Sequence, residues 1–283
     1  MDLLTDLLRQ AGLQQQLLHL DPFAAGERRR FPCGRSFGFH LVLDGAIRVE
    51  SAAAGPLALG PGAIAFMSRG CHHLLHAEVP SRVLSAAYLL PHAPVHPLFR
   101  ELPVWRVVQS TPGDDRLQRL AGWLGEEQAA AALGSEAAIR ALIDAAFVEV
   151  LRRIVEGEGQ QPLSLAAAIR TPAIRQALAA LHARPAEDWS LEGLAEVAGL
   201  SRSAFAAKFK ALVGESPLGY LRQLRVQRAM GLLARPGASI LATAEAVGYT
   251  DPFVFSKAFK RVAGVSPREF RASAAAEAVA AAS

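Results

Sequence analysis

The sequence predicts an α+β chain with an N-terminal β domain, a helical connector and a C-terminal all-α domain made of two repeated helical units. Three observations predict it. Short apolar runs alternate between turn residues from Phe37 onward, helical periodicity takes over after Pro112, and the helical region contains a copy of itself. A length of 283 residues suits two domains. A hydrophobic share of 51%, a charged share of 20% and a mean hydropathy of +0.21 exclude intrinsic disorder.

Residues 1–111 form the β domain. Phe39 to Leu43 is a strand leading into the hairpin dipeptide Asp44-Gly45, and Ala46 to Glu50 alternates on the way out. Leu57 to Leu59, the turn Gly60-Pro61-Gly62 and Ala63 to Met67 repeat the theme. Arg82 to Leu90 and Val104 to Val108 add two more strands.

Residues 112–156 form the connector. Asp114-Asp115 opens a helix through Leu117, Leu120, Ala121 and Leu124, and Ser135 caps a second through Ile139, Ile143, Phe147, Val150 and Leu151. Their apolar faces fit either a hairpin packed on the β domain or a homodimer contact. Residues 157–172, polar and glycine-rich at their start, read as a linker, and 272–283 as an alanine-rich tail.

The repeat lies within 173–271. Ala195-Glu196-Val197-Ala198-Gly199-Leu200-Ser201 returns as Ala244-Glu245-Ala246-Val247-Gly248-Tyr249-Thr250. One residue later in register, Phe205, Phe209, Lys210, Gly214 and Ser216-Pro217 match Phe255, Phe259, Lys260, Gly264 and Ser266-Pro267, and Tyr220 matches Phe270. Each copy has the grammar of a helix-turn-helix: a short helix, a glycine able to turn left-handed (Gly199, Gly248), an apolar residue, then a cap (Ser201, Asp251) opening a second helix. Pro217 to Arg235 between them is a helix apolar on two sides, as a strut buried between two lobes would be.

Charge singles out the same region. Residues 1–166 carry 15 Arg against 17 acidic residues, whereas 167–283 carry 15 basic residues against 9 acidic. The only four lysines, Lys208, Lys210, Lys257 and Lys260, lie in the second helices of the two copies. At about 100° per residue, Ser203, Ala207 and Lys210 point away from the Phe205–Phe209 side, and Phe253, Lys257 and Lys260 occupy the same positions in the second copy. A free helix face with a phosphate-pairing lysine in each copy suits the major groove. Arg222, Arg225 and Arg228 on the strut are further candidates for phosphate contact.

Residues from about Thr171 to Arg271 thus resemble the DNA-binding domain of the AraC/XylS family of transcription regulators, with Gly248-Tyr249, Phe255, Phe259-Lys260, Gly264 and Ser266-Pro267 matching its most recurrent stretch. The resemblance implies two recognition helices in successive major-groove segments of double-stranded promoter DNA. It places Ser203, Ala206 and Ala207 in the base-facing slots of the first unit and Phe253, Val254 and Lys257 in those of the second. The first unit has alanines where long polar side chains are frequent, which shifts its contacts toward Arg202, Ser203 and apolar surface.

The β domain resembles the cupin-type effector domains found ahead of such modules. Gly62, Ser68, Gly70 and His73 have the spacing of the second cupin motif, with Ser68 where proline is usual and Ala77 where asparagine is usual. Of the first motif only Val42-Leu43-Asp44-Gly45 is present. Gly38 replaces its glutamate, and Cys33 falls at one histidine slot. The fold class is then a cupin-like barrel followed by two helix-turn-helix units. Strand alternation turns His40, Cys71 and His73 inward, so Cys33, His40, Cys71 and His73 form a candidate site for a transition metal, for thiol redox sensing or for an organic effector. No cofactor is assigned.

The leading function is a sequence-specific transcription regulator whose cupin-like domain senses a small-molecule or redox signal, with RNA polymerase as a further candidate partner. The alternative is a cupin oxygenase or isomerase fused to a DNA-binding module. It is disfavoured because an iron site wants two His and a carboxylate, and the reading is of a non-enzyme. A nucleoid-type architectural protein is a third class. No apolar run of membrane-spanning length occurs and the chain opens with acid, so no membrane partner and a cytoplasmic location are expected.

Overall fold

The computed structural model describes residues 13–19, 22–31, 36–51, 54–68, 72–89, 104–108, 116–156 and 164–282, with residues 5 and 8. They divide near residue 163 into a β-rich unit and a helical unit.

The strands of the first unit are β1 (Gln14–His19), β2 (Pro22–Phe23), β3 (Arg28–Phe31), β4 (Ser36–Asp44), β5 (Ile47–Ser51), β6 (Ala54–Leu59), β7 (Ile64–Met67), β8 (His73–Ala77), β9 (Ser81–Leu89) and β10 (Trp105–Val108). They form two antiparallel sheets. One has the order β1-β9-β4-β7-β10, with β2 also on β9; the other has the order β3-β8-β5-β6. Between them lies one core drawn from both sheets, including Phe23, Phe31, Val42, Ile47, Val49, Ala65, Leu75 and Val83.

Asp44-Gly45 is not a hairpin. β4 pairs with β7 and β9 whereas β5 pairs with β6 and β8, so this turn carries the chain from one sheet to the other. The dipeptide supplies the turn, with Gly45 at φ +80° and a virtual Cβ only 2.3 Å from Ser81 Oγ, but local chemistry does not choose the pairing partner. β1 and β3 carry no alternating pattern. In β3 Arg28 and Arg30 face solvent, while Arg29 lays its guanidinium over Phe23 at 4.2 Å and pairs with Glu27.

β4 is buried on both faces. Gly38, His40 and Val42 share the face turned to the inter-sheet core; Phe37, Phe39 and Leu41 lie on the other. That outer face belongs to the side of the sheet covered by α1 (Arg116–Ala130) and α2 (Ser135–Glu156). Phe147 of α2 stacks on Tyr88 at 4.0 Å and lies 6.3 Å from Phe66. Tyr88 donates to Asp144 (2.6 Å), and Gln15 of β1 donates to Asp144 and to the Arg140 carbonyl. Burial and the Asp144 carboxylate push the Tyr88 hydroxyl well above the usual tyrosine range. The helical pair therefore spends its apolar face on the β domain. Ser135 does not cap α2. Its hydroxyl accepts from the Ala132 N–H and donates to Glu127, bracing the inter-helix turn instead.

The helical unit comprises α3 (Ser164–Arg170), α4 (Pro172–Ala183), α5 (Leu191–Val197), α6 (Arg202–Val213), α7 (Pro217–Leu233), α8 (Ile240–Ala246), α9 (Pro252–Ala263) and α10 (Pro267–Ala282). The stretch read as linker contains α3, which packs on α6, and the stretch read as tail continues α10. α7 serves both lobes. Tyr220 near its start meets Phe209 of α6 at 5.9 Å, while Val226, Ala229, Met230 and Leu233 join Val247, Phe255, Phe259 and Phe270 in a second core. Among the described residues no helix is long and apolar enough to cross a membrane.

Candidate nucleic-acid interface and barrel site

Both helix-turn-helix units are built from the same local devices. The turn glycines take positive φ, +63° at Gly199 and +87° at Gly248. Ser201 Oγ accepts the Ala204 N–H at the start of α6. Asp251 accepts the Phe253 N–H at 2.7 Å and the Val254 N–H at 3.4 Å at the start of α9. At α10 a reciprocal pair closes the start: the Ser266 N–H donates to Glu269, whose own N–H donates to Ser266 Oγ, and these bonds hold the Glu269 carboxyl below its usual range.

The second helices bury one side and free the other. Phe205 and Phe209 of α6, and Phe255 and Phe259 of α9, are fully buried. On the opposite side Ser203, Ala207 and Lys210 are exposed and Ala206 is half-buried; in α9 Phe253, Val254, Lys257 and Lys260 are all exposed. Phe253 is 84% exposed. Left so, it forgoes the roughly 2 kcal/mol that burying a Phe returns. Arg202 is exposed but pairs with Glu192 of α5 at 2.9 Å, which residue patterns alone did not indicate. Arg225 is no phosphate ligand in this arrangement: its guanidinium donates to the carbonyls of Pro185, Glu187 and Gly248. Burial lowers its pKa from the ordinary arginine value, partly offset by Tyr249 and Asp188.

Of the barrel site, His40 and His73 come together, and Cys33 and Cys71 lie outside the described residues. His40 Nε2 faces His73 Nε2 at 2.7 Å, and His40 Nδ1 lies 2.8 Å from Ser85 Oγ, both at hydrogen-bonding distance with the direction set by the ring tautomers. Phe31 stacks on His73 at 5.2 Å, and Trp105 meets it edge-on at 5.2 Å. Ser85 was missed. It shares the inward parity of Val83 on β9, and that alternation was the available signal. A cleft of about 610 Å³ lined by Arg28, Arg30, Glu50, His72, His73 and Phe31 reaches His73 of this pair.

Among the described residues no group of three or more His, Cys, Asp or Glu side chains suited to a metal occurs, and two of the four candidate ligands, Cys33 and Cys71, lie outside those residues.

Comparison with known proteins agrees with this architecture. Residues 2–156 match the cupin family and residues 194–273 match a helix-turn-helix domain. A putative AraC-like transcription regulator of Streptomyces lividans is 33% identical over 169 residues, 60% of this chain and 56% of that one. The chain thus spans about half the length of the curated Streptomyces relatives it matches. The RCS-specific HTH-type transcriptional activator RclR of Escherichia coli strain K12 is 28% identical over 82% of this chain and 83% of its own. The solved DNA-binding domain of AdpA, a global transcriptional factor in complex with a target DNA, is 31% identical over 38% of this chain and 95% of that chain, with a TM-score of 0.36. The chain belongs to the cupin family over residues 2–156, and its helix-turn-helix region is similar to that of AraC-like transcription regulators.

Proposed function

We propose that the protein is a sequence-specific DNA-binding transcription regulator in which α6 and α9 enter successive major-groove segments of promoter DNA and the cupin domain receives a signal. The observation that carries this reading is the unburied face of α9, where Phe253 stands in solvent beside Val254, Lys257 and Lys260 while Lys210 repeats the cationic position on α6. Apolar side chains fit thymine methyls and base edges, and the lysines pair with phosphates. Such an interface gains affinity from counterion release and specificity from the few side chains at base edges.

The test is selection of duplexes from a random-sequence pool, then competition binding at fixed salt. An enriched duplex should outcompete its scrambled version. Phe253→Ala and Lys257→Ala should weaken binding to the enriched duplex more than to the scrambled one, and equal loss on both removes the base-reading role. Absence of any enrichment favours a nucleoid-type architectural protein. Oxygen uptake by the purified protein favours a cupin oxygenase.

The signal is proposed to enter the cleft beside His73, where an effector would perturb the His73–His40–Ser85 chain. The Escherichia coli relative is described as an activator, so RNA polymerase is the partner to test first. Trp123, 53% exposed on α1, and Leu133 at the inter-helix turn offer the surface for a homodimer contact.

A further inference from the structure

Arg225 sits mid-way along α7 with its guanidinium spread over three backbone carbonyls. Nε donates to Pro185 at 2.7 Å, Nη2 to Glu187 at 2.7 Å and Nη1 to Gly248 at 3.1 Å. The first two acceptors lie in the segment between α4 and α5, which belongs to the first lobe. The third is the turn glycine of the second lobe. The guanidinium carbon also lies 5.4 Å from the centroid of Tyr249, the residue after that turn.

The two segments meet directly as well. A Cβ on Gly248 would fall 2.3 Å from the Ala186 carbonyl oxygen, so glycine is required both by its φ and by this contact. The first-lobe segment is braced from within: Arg184 lies over Trp189 at 4.8 Å and pairs with Glu187 at 3.0 Å, and the Trp189 indole N–H donates to the Arg184 carbonyl.

We infer that Arg225 is a positioning residue that locks the two recognition helices, α6 and α9, at one separation and angle, so that the pair reads DNA as a single ruler. The inference rests on the DNA-binding reading above. α7 joins the lobes through one helix, and each lobe packs mainly on its own half of it. Arg225 ties the loop of one lobe to the turn of the other with a planar fork that a lysine cannot reproduce. With three of its five N–H groups held by carbonyls, the cation is committed inside the protein.

The experiment uses the full chain and a duplex enriched by the wild-type protein from a random pool, together with the same duplex carrying one extra base pair between the two contacted segments. Insertion turns and shifts one segment relative to the other, so a rigid pair should lose about tenfold or more in affinity, since two linked contacts bind together only when geometry permits. Arg225→Ala and Arg225→Lys are each expected to bind the unaltered duplex about tenfold more weakly and to lose less than about twofold on insertion. Their salt dependence should match that of the wild type. Thermal unfolding checks that each variant folds, and Arg225→Lys carries the test should Arg225→Ala not fold. The inference is overturned if the folded variants keep the wild-type insertion penalty, or if Arg225→Lys binds normally while Arg225→Ala loses about one unit of salt slope, the mark of a phosphate contact. Failure to enrich any duplex would instead overturn the DNA-binding reading.

Discussion

The two helix-turn-helix lobes share their turns, caps and buried phenylalanines, yet differ in what they hold inside and what they show outside. The first lobe buries a polar pair: His182 Nε2 and Tyr220 Oη meet at 2.6 Å in its core. The second puts Phe270 at the matching position and closes an apolar cluster around it. Outside, α9 presents a phenylalanine and a valine beside its lysines, whereas α6 presents a serine and alanines beside its lysines, with its first residue, Arg202, held by Glu192. The two copies share the backbone devices and the core aromatics. The exposed residues of their second helices and the buried polar pair differ, because neither the turn nor the caps depend on them.

Breaking the shared part should hurt both lobes alike. Phe209→Ala and Phe259→Ala each empty a fully buried ring site, and each is expected to destabilise its lobe by about 3–5 kcal/mol in urea unfolding. A cost below about 1 kcal/mol in either lobe would show that the two cores are not equivalent.

Acid should separate the lobes. Burial lowers the His182 pKa from 6.5 to about 4, so between these values the unfolded chain binds a proton that the folded chain refuses. Its contribution to stability is complete above about pH 6.5, declines as the pH falls and is gone near pH 4, a loss of about 3 kcal/mol. Thermal melts from pH 7 to pH 4.5 should show this loss in the wild type and a shallower dependence in His182→Leu. Equal pH dependence in both proteins would place the acid sensitivity elsewhere.

Base reading should be lopsided. Phe253→Ala is expected to cost about 1–2 kcal/mol on an enriched duplex, within the range for a specific base contact, and Ser203→Ala less than about 0.5 kcal/mol. Similar losses from the two would mean the lobes read DNA equally.

The smallest effect concerns the Arg202–Glu192 pair. Both partners are more than half exposed, so Glu192→Gln should change folding stability by only a few tenths of a kcal/mol. It should nonetheless release Arg202 and steepen the salt dependence of DNA binding by about one unit. The second lobe has Leu241 at the place of Glu192, so this restraint acts on one recognition helix alone.

Much of the fold was legible because its signals are local. The two-residue offset from the glutamate slot at Gly38 placed His40 inward, the spacing of Leu117, Ala121 and Leu124 gave α1, and Gly199 and Gly248 marked both turns. β1 and β3 were not legible. Gln14-Gln15-Gln16 and Arg28-Arg29-Arg30 lack an apolar alternation, and they become strands because β9 and β8 offer them edges. The candidate site divides in the same way. The helical wheel identified the exposed face of α9, and parity with Val83 was the one signal for Ser85, while Glu192 and the three carbonyls around Arg225 have no sequence spacing to announce them.

The sequence by itself determined the helical repeat, its caps and turns, the free faces of α6 and α9 and the concentration of positive charge in the last third of the chain. Each follows from a residue's own conformational preference or from its period within one element. Only the tertiary structure decided that Asp44-Gly45 bridges two sheets, that the connector helices cover the β domain, that His40 meets Ser85 and His73, and that Arg225 faces inward to three carbonyls rather than outward to phosphate. Those choices set partners between about 20 and 60 residues apart, where the competing pairings are alike in local preference and differ in the packing and hydrogen bonding of the whole unit.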